Sequence, residues 1–242
     1  MKKLTEEIMA WIKNEVIKSH TQGVVYGLSG GIDSAVVAVL CKKIYPDNNL
    51  ALILPCYSIN QDIEDALELI NKFKIDYRLI ELTKVYDQFL PLLSEGVGDN
   101  NDYKNLAQAN IKPRLRMISL YYYANYMNYL VVGTGNKSEI MVGYSTKYGD
   151  AGADIFPLGN LLKNQVVELA KYLGVTKNII NKPPSAGLWI GQTDEKEMGI
   201  SYDQLDKYLC GEEITDKAMK EKIEQRIKSS RHKRTLPPKP SF

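Results

Sequence analysis

Apolar positions recur every three or four residues over 4–20, where Leu4, Ile8, Trp11, Ile12 and Ile17 fall near one face. That spacing predicts an amphipathic helix. A short apolar run over 24–28, held between glycines, reads as a buried strand, and 34–44 as a helix. Leu-Ala-Leu-Ile-Leu-Pro over 50–55 is a second buried strand, followed by a helix over 61–73 and a third strand over 76–82. Helices are predicted around 84–93 and 114–128, a fourth strand over 129–132, and mainly helix beyond 163. Apolar strands alternating with helices predict an α/β fold: an open, mainly parallel sheet covered by helices on both faces, Rossmann-like in character. Two stretches read as long loops, 94–102 and 181–195, of the kind that form lids or binding segments.

Composition narrows the class. Of 242 residues, 44% are hydrophobic and 25% charged, a globular balance that excludes disordered, collagenous and coiled-coil chains. No apolar run reaches the ~20 residues needed to span a bilayer. Two acids in Lys-Lys-Leu-Thr-Glu-Glu oppose a signal peptide. Three scattered cysteines, Cys41, Cys56 and Cys210, suit neither a disulfide framework nor a zinc site, which together point to the reducing cytoplasm. A net charge of +2 lacks the basic bias of a duplex-DNA binder, so neither nucleic acid nor membrane is an expected partner. The expectation is one domain over 1–242, with a basic, proline-rich, extended tail from about 229 to 242.

The sharpest chemical feature is Gly27-Leu28-Ser29-Gly30-Gly31-Ile32-Asp33-Ser34, leaving a strand and entering a helix. Gly30 and Gly31 open backbone conformations that let consecutive N–H groups converge on one anion, and the helix adds its positive dipole end. The glycine–lysine P-loop and the dinucleotide G-x-G-x-x-G both differ from this string. An Asp inside a phosphate nest repels the phosphates unless a divalent cation bridges them; the plainer reading makes Asp33 a helix cap. A second strand–glycine turn–helix follows in Tyr129-Leu-Val-Val-Gly-Thr-Gly-Asn-Lys-Ser-Glu139. If strand four lies beside strand one, away from strand two, both glycine turns flank the crevice where open sheets bind ligands. Thr134 then sits at the strand end. Glu139 faces Asp33, an oxygen pair suited to Mg²⁺. The Gly-, Lys- and Asp-rich stretch over 144–154 has the composition of a binding loop.

The hexad Ser-Gly-Gly-x-Asp-Ser resembles the signature of the ATP pyrophosphatase superfamily, which splits ATP into AMP and pyrophosphate. The resemblance narrows with Asn110-Ile-Lys-x-Arg-x-Arg-Met117, Gly133-Thr-Gly-Asn-x-x-Glu139, Thr146-Lys-Tyr-Gly-Asp150, Gly152-x-Asp154, Pro157-Leu158, Gly199-Ile-x-Tyr-Asp203 and His232-Lys-Arg234. In this order, over about 5–236, these are similar to the ammonia-dependent NAD synthetases. The resemblance implies an adenine nucleotide alpha hydrolase-like fold. It also implies a ligase that joins ammonia to the nicotinate carboxylate of deamido-NAD⁺, with ATP as co-substrate and Mg²⁺ as cofactor, in a homodimer sharing the dinucleotide site.

By the same resemblance, Gly27 to Ser34 hold the ATP phosphates, Asp33 and Glu139 hold Mg²⁺, and Thr134, Lys163 and Ser185 contact ATP. Ser185 stands where the family usually has Thr, which keeps the hydroxyl. Arg114, Lys147 and Asp154 are the implied deamido-NAD⁺ contacts, with His232 and Lys233 reaching in from the tail. Asp150 resembles the carboxylate that receives ammonium and removes its proton, beside Lys147 in the same loop. Ile53 departs from an Arg common in the family, which weakens the match for adenine contacts around 53–62. Pro113 replaces a residue often Ala, but suits a first helical turn and leaves Arg114 placed.

Only 23 residues precede the first predicted strand, too few for a fused glutaminase, so the expected donor is free ammonia or a separate supplier. Cys41, in the helix after the loop, reads as a buried structural thiol. Tyr121, Tyr122, Tyr123, Tyr126 and Tyr129 cluster at one helix, as a half-buried face or a self-association surface. The rival readings are another amidating or tRNA-thiolating relative, which would need paired cysteines or an RNA-binding appendage, and a non-catalytic nucleotide sensor, which leaves Asp33, Glu139 and Asp150 without work.

Overall fold

The computed structural model describes residues 1–96, 104–187, 189 and 191–241. Helix α1 (Lys2–Lys18) leads into β1 (Gly23–Gly27), α2 (Ile32–Ile44), β2 (Asn49–Ile53), α3 (Asn60–Phe73), β3 (Tyr77–Leu79) and α4 (Thr83–Ser94). Then come α5 (Lys104–Ala109), α6 (Ile111–Met127), β4 (Tyr129–Val132) and α7 (Lys137–Val142). The remainder is helical: α8 (Lys163–Leu173), α9 (Lys177–Asn181), α10 (Asp194–Met198), α11 (Tyr202–Leu209), α12 (Lys217–Ser229) and a 3₁₀ turn over Arg231–Lys233.

The strands pair in parallel in the order β3-β2-β1-β4, with Val25 facing Leu50 on one side and Val131 on the other. Strand β4 therefore lies beside β1 on the side away from β2, as the crevice argument requires. Period-two alternation sends Val24, Tyr26 and Leu28 to one core and Val25 to the other. The first core is capped by α1, α2, α3, α8 and α9, the second by α4 and α6. Both faces are covered, the environment that all-parallel sheets need. A third cluster (Val142, Met198, Ile200, Leu205 and Ile223) joins α7 to α10, α11 and α12. Among the described residues, no helix is long and apolar enough to cross a membrane.

Three local expectations shift. The buried stripe of α1 is Thr5, Ile8, Ile12 and Val16, while Trp11 and Ile17 are exposed. Strand β3 is regular only over Tyr77–Leu79, shorter than 76–82, although Ile80 and Leu82 go on donating to the carbonyls of Ile53 and Pro55 and so keep the chain alongside β2. The tail is regular further than expected: α12 and its 3₁₀ turn run through Lys233, and Arg234 donates to the carbonyls of Met141 and Ile227 at 2.7 and 2.6 Å. The extended part begins only after that anchor. Much of the expected 94–102 loop lies outside the described residues.

Candidate nucleotide and amidation site

The phosphate loop leaves β1 and turns on Gly30, whose φ of +78° places it in the left-handed region. A Cβ at Gly30 would stand 2.2 Å from the Asp62 carbonyl oxygen, so only glycine fits between the loop and the start of α3. The loop is closed from within. The Ser29 N–H donates to Ser34 Oγ at 3.2 Å, the Gly31 N–H to Ser29 Oγ at 3.3 Å, and Ser34 Oγ to the Gly31 carbonyl at 2.9 Å. Gly27, Leu28, Ser29, Gly31, Ile32 and Asp33 line a cleft of about 1060 Å³. Gly30 and Ser34 stand behind that wall and shape it.

Asp33, in the first turn of α2, meets Glu139, in the first turn of α7, through one lysine. Lys163 Nζ lies 2.6 Å from Asp33 Oδ2 and 3.0 Å from Glu139 Oε1. All three side chains are largely buried. Expected only as an ATP contact, Lys163 here bridges the two carboxylates expected to hold the cation. Burial pushes the Glu139 carboxyl up to about 7, Lys163 opposes that shift and the Asp33 charge adds to it. For Lys163, burial disfavours the ammonium, but the two carboxylates outweigh it and hold the lysine firmly charged. Without that ammonium the two acids would repel across a poorly solvated gap.

Neighbours fix the triad from behind. Asn136 caps α7, accepting from the Glu139 N–H at 3.0 Å, while its Nδ2 donates to Asp33 Oδ1 at 2.8 Å. The Tyr202 hydroxyl stands 3.1 Å from Glu139 Oε1 and 2.9 Å from Asp194 Oδ2, with Lys163 Nζ 4.9 Å from its ring centroid. Asp206 accepts from Ser138 Oγ and from the Asn164 N–H, pinning α7 to the start of α8. Asn136 was readable as an Asn-x-x-Glu capping box. Tyr202 stood in a quoted motif without a role. Asp194 and Asp206 carry no local signature.

Across the cleft, the 144–154 loop folds tightly. The Thr146 N–H donates to Asp150 Oδ1 at 2.8 Å, and Thr146 Oγ1 to Asn110 Oδ1 at 2.6 Å. Asp150 opens into the cleft yet is walled by protein, and that partial desolvation raises its carboxyl pKa, with the Thr146 N–H as the main opposing contact. Arg114, Lys147, Thr134, Ser185, His232 and Lys233 all line the same cleft. Arg114 donates to the Lys147 carbonyl at 3.3 Å, and Lys147 Nζ lies 3.5 Å from His232 Nδ1. Lys233 instead spends its ammonium on the carbonyls of Gly143 and Ser145. Arg116, half-buried on the cleft lining, donates to the Leu54 carbonyl at 3.0 Å.

Asp154 is apart. Its carboxylate accepts from the Val131 N–H at 2.8 Å and from the Tyr121 hydroxyl at 2.9 Å, tying the loop to β4 and α6, and it is absent from the cleft lining of its own chain. Among the described residues, no group of three or more His, Cys, Asp or Glu side chains clusters as a metal site.

A parallel sheet whose first strand delivers a phosphate loop to the cleft at its carboxyl edge defines an α/β nucleotide-binding protein. The family model for NAD synthase matches residues 4–237. An NH(3)-dependent NAD(+) synthetase of Syntrophomonas wolfei subsp. wolfei is 48% identical over 231 residues, covering 96% of this chain and 92% of that protein. The solved NMN synthetase of Francisella tularensis is 43% identical with a TM-score of 0.93, covering 100% of this chain and 98% of that one. The NH3-dependent NAD synthetase of Campylobacter jejuni is 34% identical with a TM-score of 0.80, covering 99% and 98%. The chain belongs to the NAD synthase family.

Proposed function

We propose that this chain is an ammonia-dependent ligase that converts deamido-NAD⁺ to NAD⁺ while splitting ATP into AMP and pyrophosphate. The observation that carries the reading is the meeting, in one cleft, of a glycine loop whose Asp33 is joined through Lys163 to Glu139 with a carboxylate, Asp150, that lines the same cleft as Arg114 and Lys147. A carboxylate cannot expel oxide. Its oxygen therefore attacks the ATP α-phosphorus, and the bond to pyrophosphate breaks. Ammonia then attacks the acyl carbon of the acyl-adenylate, the C–O bond to AMP breaks, and the surplus proton leaves nitrogen. Asp150 takes that proton, and its raised pKa brings it nearer to neutrality, where a base works best. The loop amides and Lys163 hold the triphosphate; Arg114, Lys147 and His232 hold the acid, so that binding supplies proximity.

The donor set fits Mg²⁺. Two hard carboxylates already share one cation, and exchange of the Lys163 ammonium toward the phosphates would leave both oxygens free. Asp33 and Glu139 would hold the ion, which when bound supplies neutralisation of phosphate charge. The reading includes a single domain over 1–242, cytoplasmic placement and a homodimer. The exposed Tyr122, Tyr126 and Ile118 of α6 support the last, beside Asp154, which the partner's dinucleotide could then reach.

The high structural likeness to the Francisella tularensis NMN synthetase favours a second reading, in which the acid is the corresponding mononucleotide. One assay tests both. The pure chain is mixed with ATP, Mg²⁺ and ammonium, and with each acid separately. NAD⁺ plus AMP from the dinucleotide is the expected outcome. A strong preference for the mononucleotide would select the second reading, AMP from neither acid would end both, and efficient use of glutamine would overturn free ammonia as donor.

A further inference from the structure

Three separate pieces of the chain meet at Lys182. This residue follows α9 directly and precedes Pro183-Pro184-Ser185-Ala186-Gly187, the strip that forms one wall of the cleft. Its ammonium lies 2.8 Å from Asp62 Oδ1, pairs closely with Asp65 Oδ2, and reaches the Gly30 carbonyl at 3.4 Å. Asp62 and Asp65 belong to the first turns of α3, and Gly30 is the turning point of the phosphate loop. The Asp62 carbonyl is the very atom against which a side chain at Gly30 would collide. Asp65 is only 2% exposed, and besides Lys182 the Gln61 amide reaches it at 3.0 Å.

We infer that Lys182 is the positioning residue that latches the Pro183–Gly187 wall to the back of the phosphate loop, setting the width of the nucleotide slot between Ser185 and Gly31–Asp33. The segment after Lys182 has little regular structure to hold it: the Gly187 N–H bonds to Ser185 Oγ, and the Pro184 carbonyl accepts from the Asp194 N–H further on. Two adjacent prolines stiffen the strip, so fixing its first residue fixes its direction. One ammonium touching helix, loop and strip does so with charge-assisted bonds, the strongest kind available to polar groups. Lys182 acts through the wall and loop, and its contacts are to protein groups, so its role is to place the groups that meet the nucleotide.

The inference rests on ATP as the occupant of the cleft, so binding is measured directly by calorimetry with Mg²⁺-ATP, without the acid or ammonia. A wild-type chain that binds no ATP would end the proposed function; a variant that binds as wild type would end the latch alone. Lys182→Met keeps the stem and removes the charge. It should weaken ATP about tenfold, equivalent to about 1.4 kcal/mol, leave the KM for the acid within about twofold, and speed proteolytic cutting between 182 and 193. Lys182→Arg should bind ATP within about threefold of wild type, since the fork can still meet both carboxylates. Because Lys182→Met strands a buried carboxylate and can destabilise the fold, the double variant Lys182→Met with Asp65→Asn removes that penalty. Restored melting temperature with ATP binding still weakened supports the latch. Restoration of both together shows a merely structural ion pair and overturns it.

Discussion

Lys163 holds Asp33 and Glu139 at 2.6 and 3.0 Å, whereas Lys147 and His232 stand 3.5 Å apart at the other side of the same cleft, with Arg114 exposed beside them. The first group is buried, joined by a shared ammonium and pinned from behind by Asn136, Tyr202 and Asp206. In the second, basic groups gather around open space, and their long contacts are with one another and with a carbonyl. On the proposed function, a preassembled phosphate end would need little reorganisation when the triphosphate arrives. On the same proposal, the loosely gathered end would be shaped by its ligand: an anionic acid entering there would supply the negative charge that those basic groups lack. The difference suits an ordered task, in which a tightly held nucleotide presents its α-phosphorus to a second substrate that must enter, react and leave.

The largest effect that separates the two ends should come from Asp33→Asn. The amide preserves shape and can still meet Lys163, but it removes one of two charges from the cation pair. Turnover should fall by about 10³-fold or more, on the scale of losing a main electrostatic contact to a reacting phosphate, with circular dichroism unchanged. Activity within tenfold of wild type would break the claim that the phosphate end is the electrostatic core of the reaction.

Next in size is Asp150→Asn. General-base removal costs about 10²–10⁴-fold, and this variant should lose kcat with little change in ATP binding. Partial desolvation by the cleft wall raises the Asp150 pKa, so in the wild type the carboxylate is lost at a higher pH than an ordinary aspartate as pH falls. At fixed free-ammonia concentration, the acid limb of kcat should lie above the usual aspartate range and vanish in Asp150→Asn. A limb that survives unchanged belongs to another group.

The phosphate end was the more legible of the two in sequence, for a physical reason. A backbone that must turn through φ +78° against the Asp62 carbonyl admits only glycine, so the constraint is written locally as Gly30. The sheet was equally legible, because strands buried on both faces, as β1 and β2 are, are written along the chain as short continuous apolar runs. Lys163 was singled out, but its grip on Asp33 spans 130 positions, and nothing local says that it sits between two acids. Asp154 sits in a ligand-like string, yet its carboxylate serves the Val131 amide and Tyr121. On α1 the error was one of phase: Thr5 and Val16 complete the buried stripe, and Trp11 and Ile17, more eye-catching by hydrophobicity, lie outside it. The tail is regular for longer than its basic, proline-rich composition led one to expect, because packing gives Arg234 carbonyl partners on two helices.

That anchor yields the smallest and most local test. Arg234 reaches the Met141 carbonyl at 2.7 Å, the Ile140 carbonyl at 3.3 Å, the Ile227 carbonyl at 2.6 Å and Ser230 Oγ at 2.7 Å. It thereby closes the 3₁₀ turn that carries His232 and Lys233 against α7. Removing the guanidinium leaves the ends of two helices with fewer partners, at about 1.5–3 kcal/mol for bonds to a charged group, discounted because the site is partly open to water. The turn should loosen, and with it the placement of His232 opposite Lys147. Arg234→Ala is therefore expected to raise the KM for the acid about fivefold, leave ATP binding unchanged and lower the melting temperature by a few degrees. His232→Ala should raise the same KM without the thermal loss. If Arg234→Ala weakened ATP as much as the acid, the two ends would be mechanically coupled, and the contrast between a preassembled and a ligand-shaped half would have to be given up.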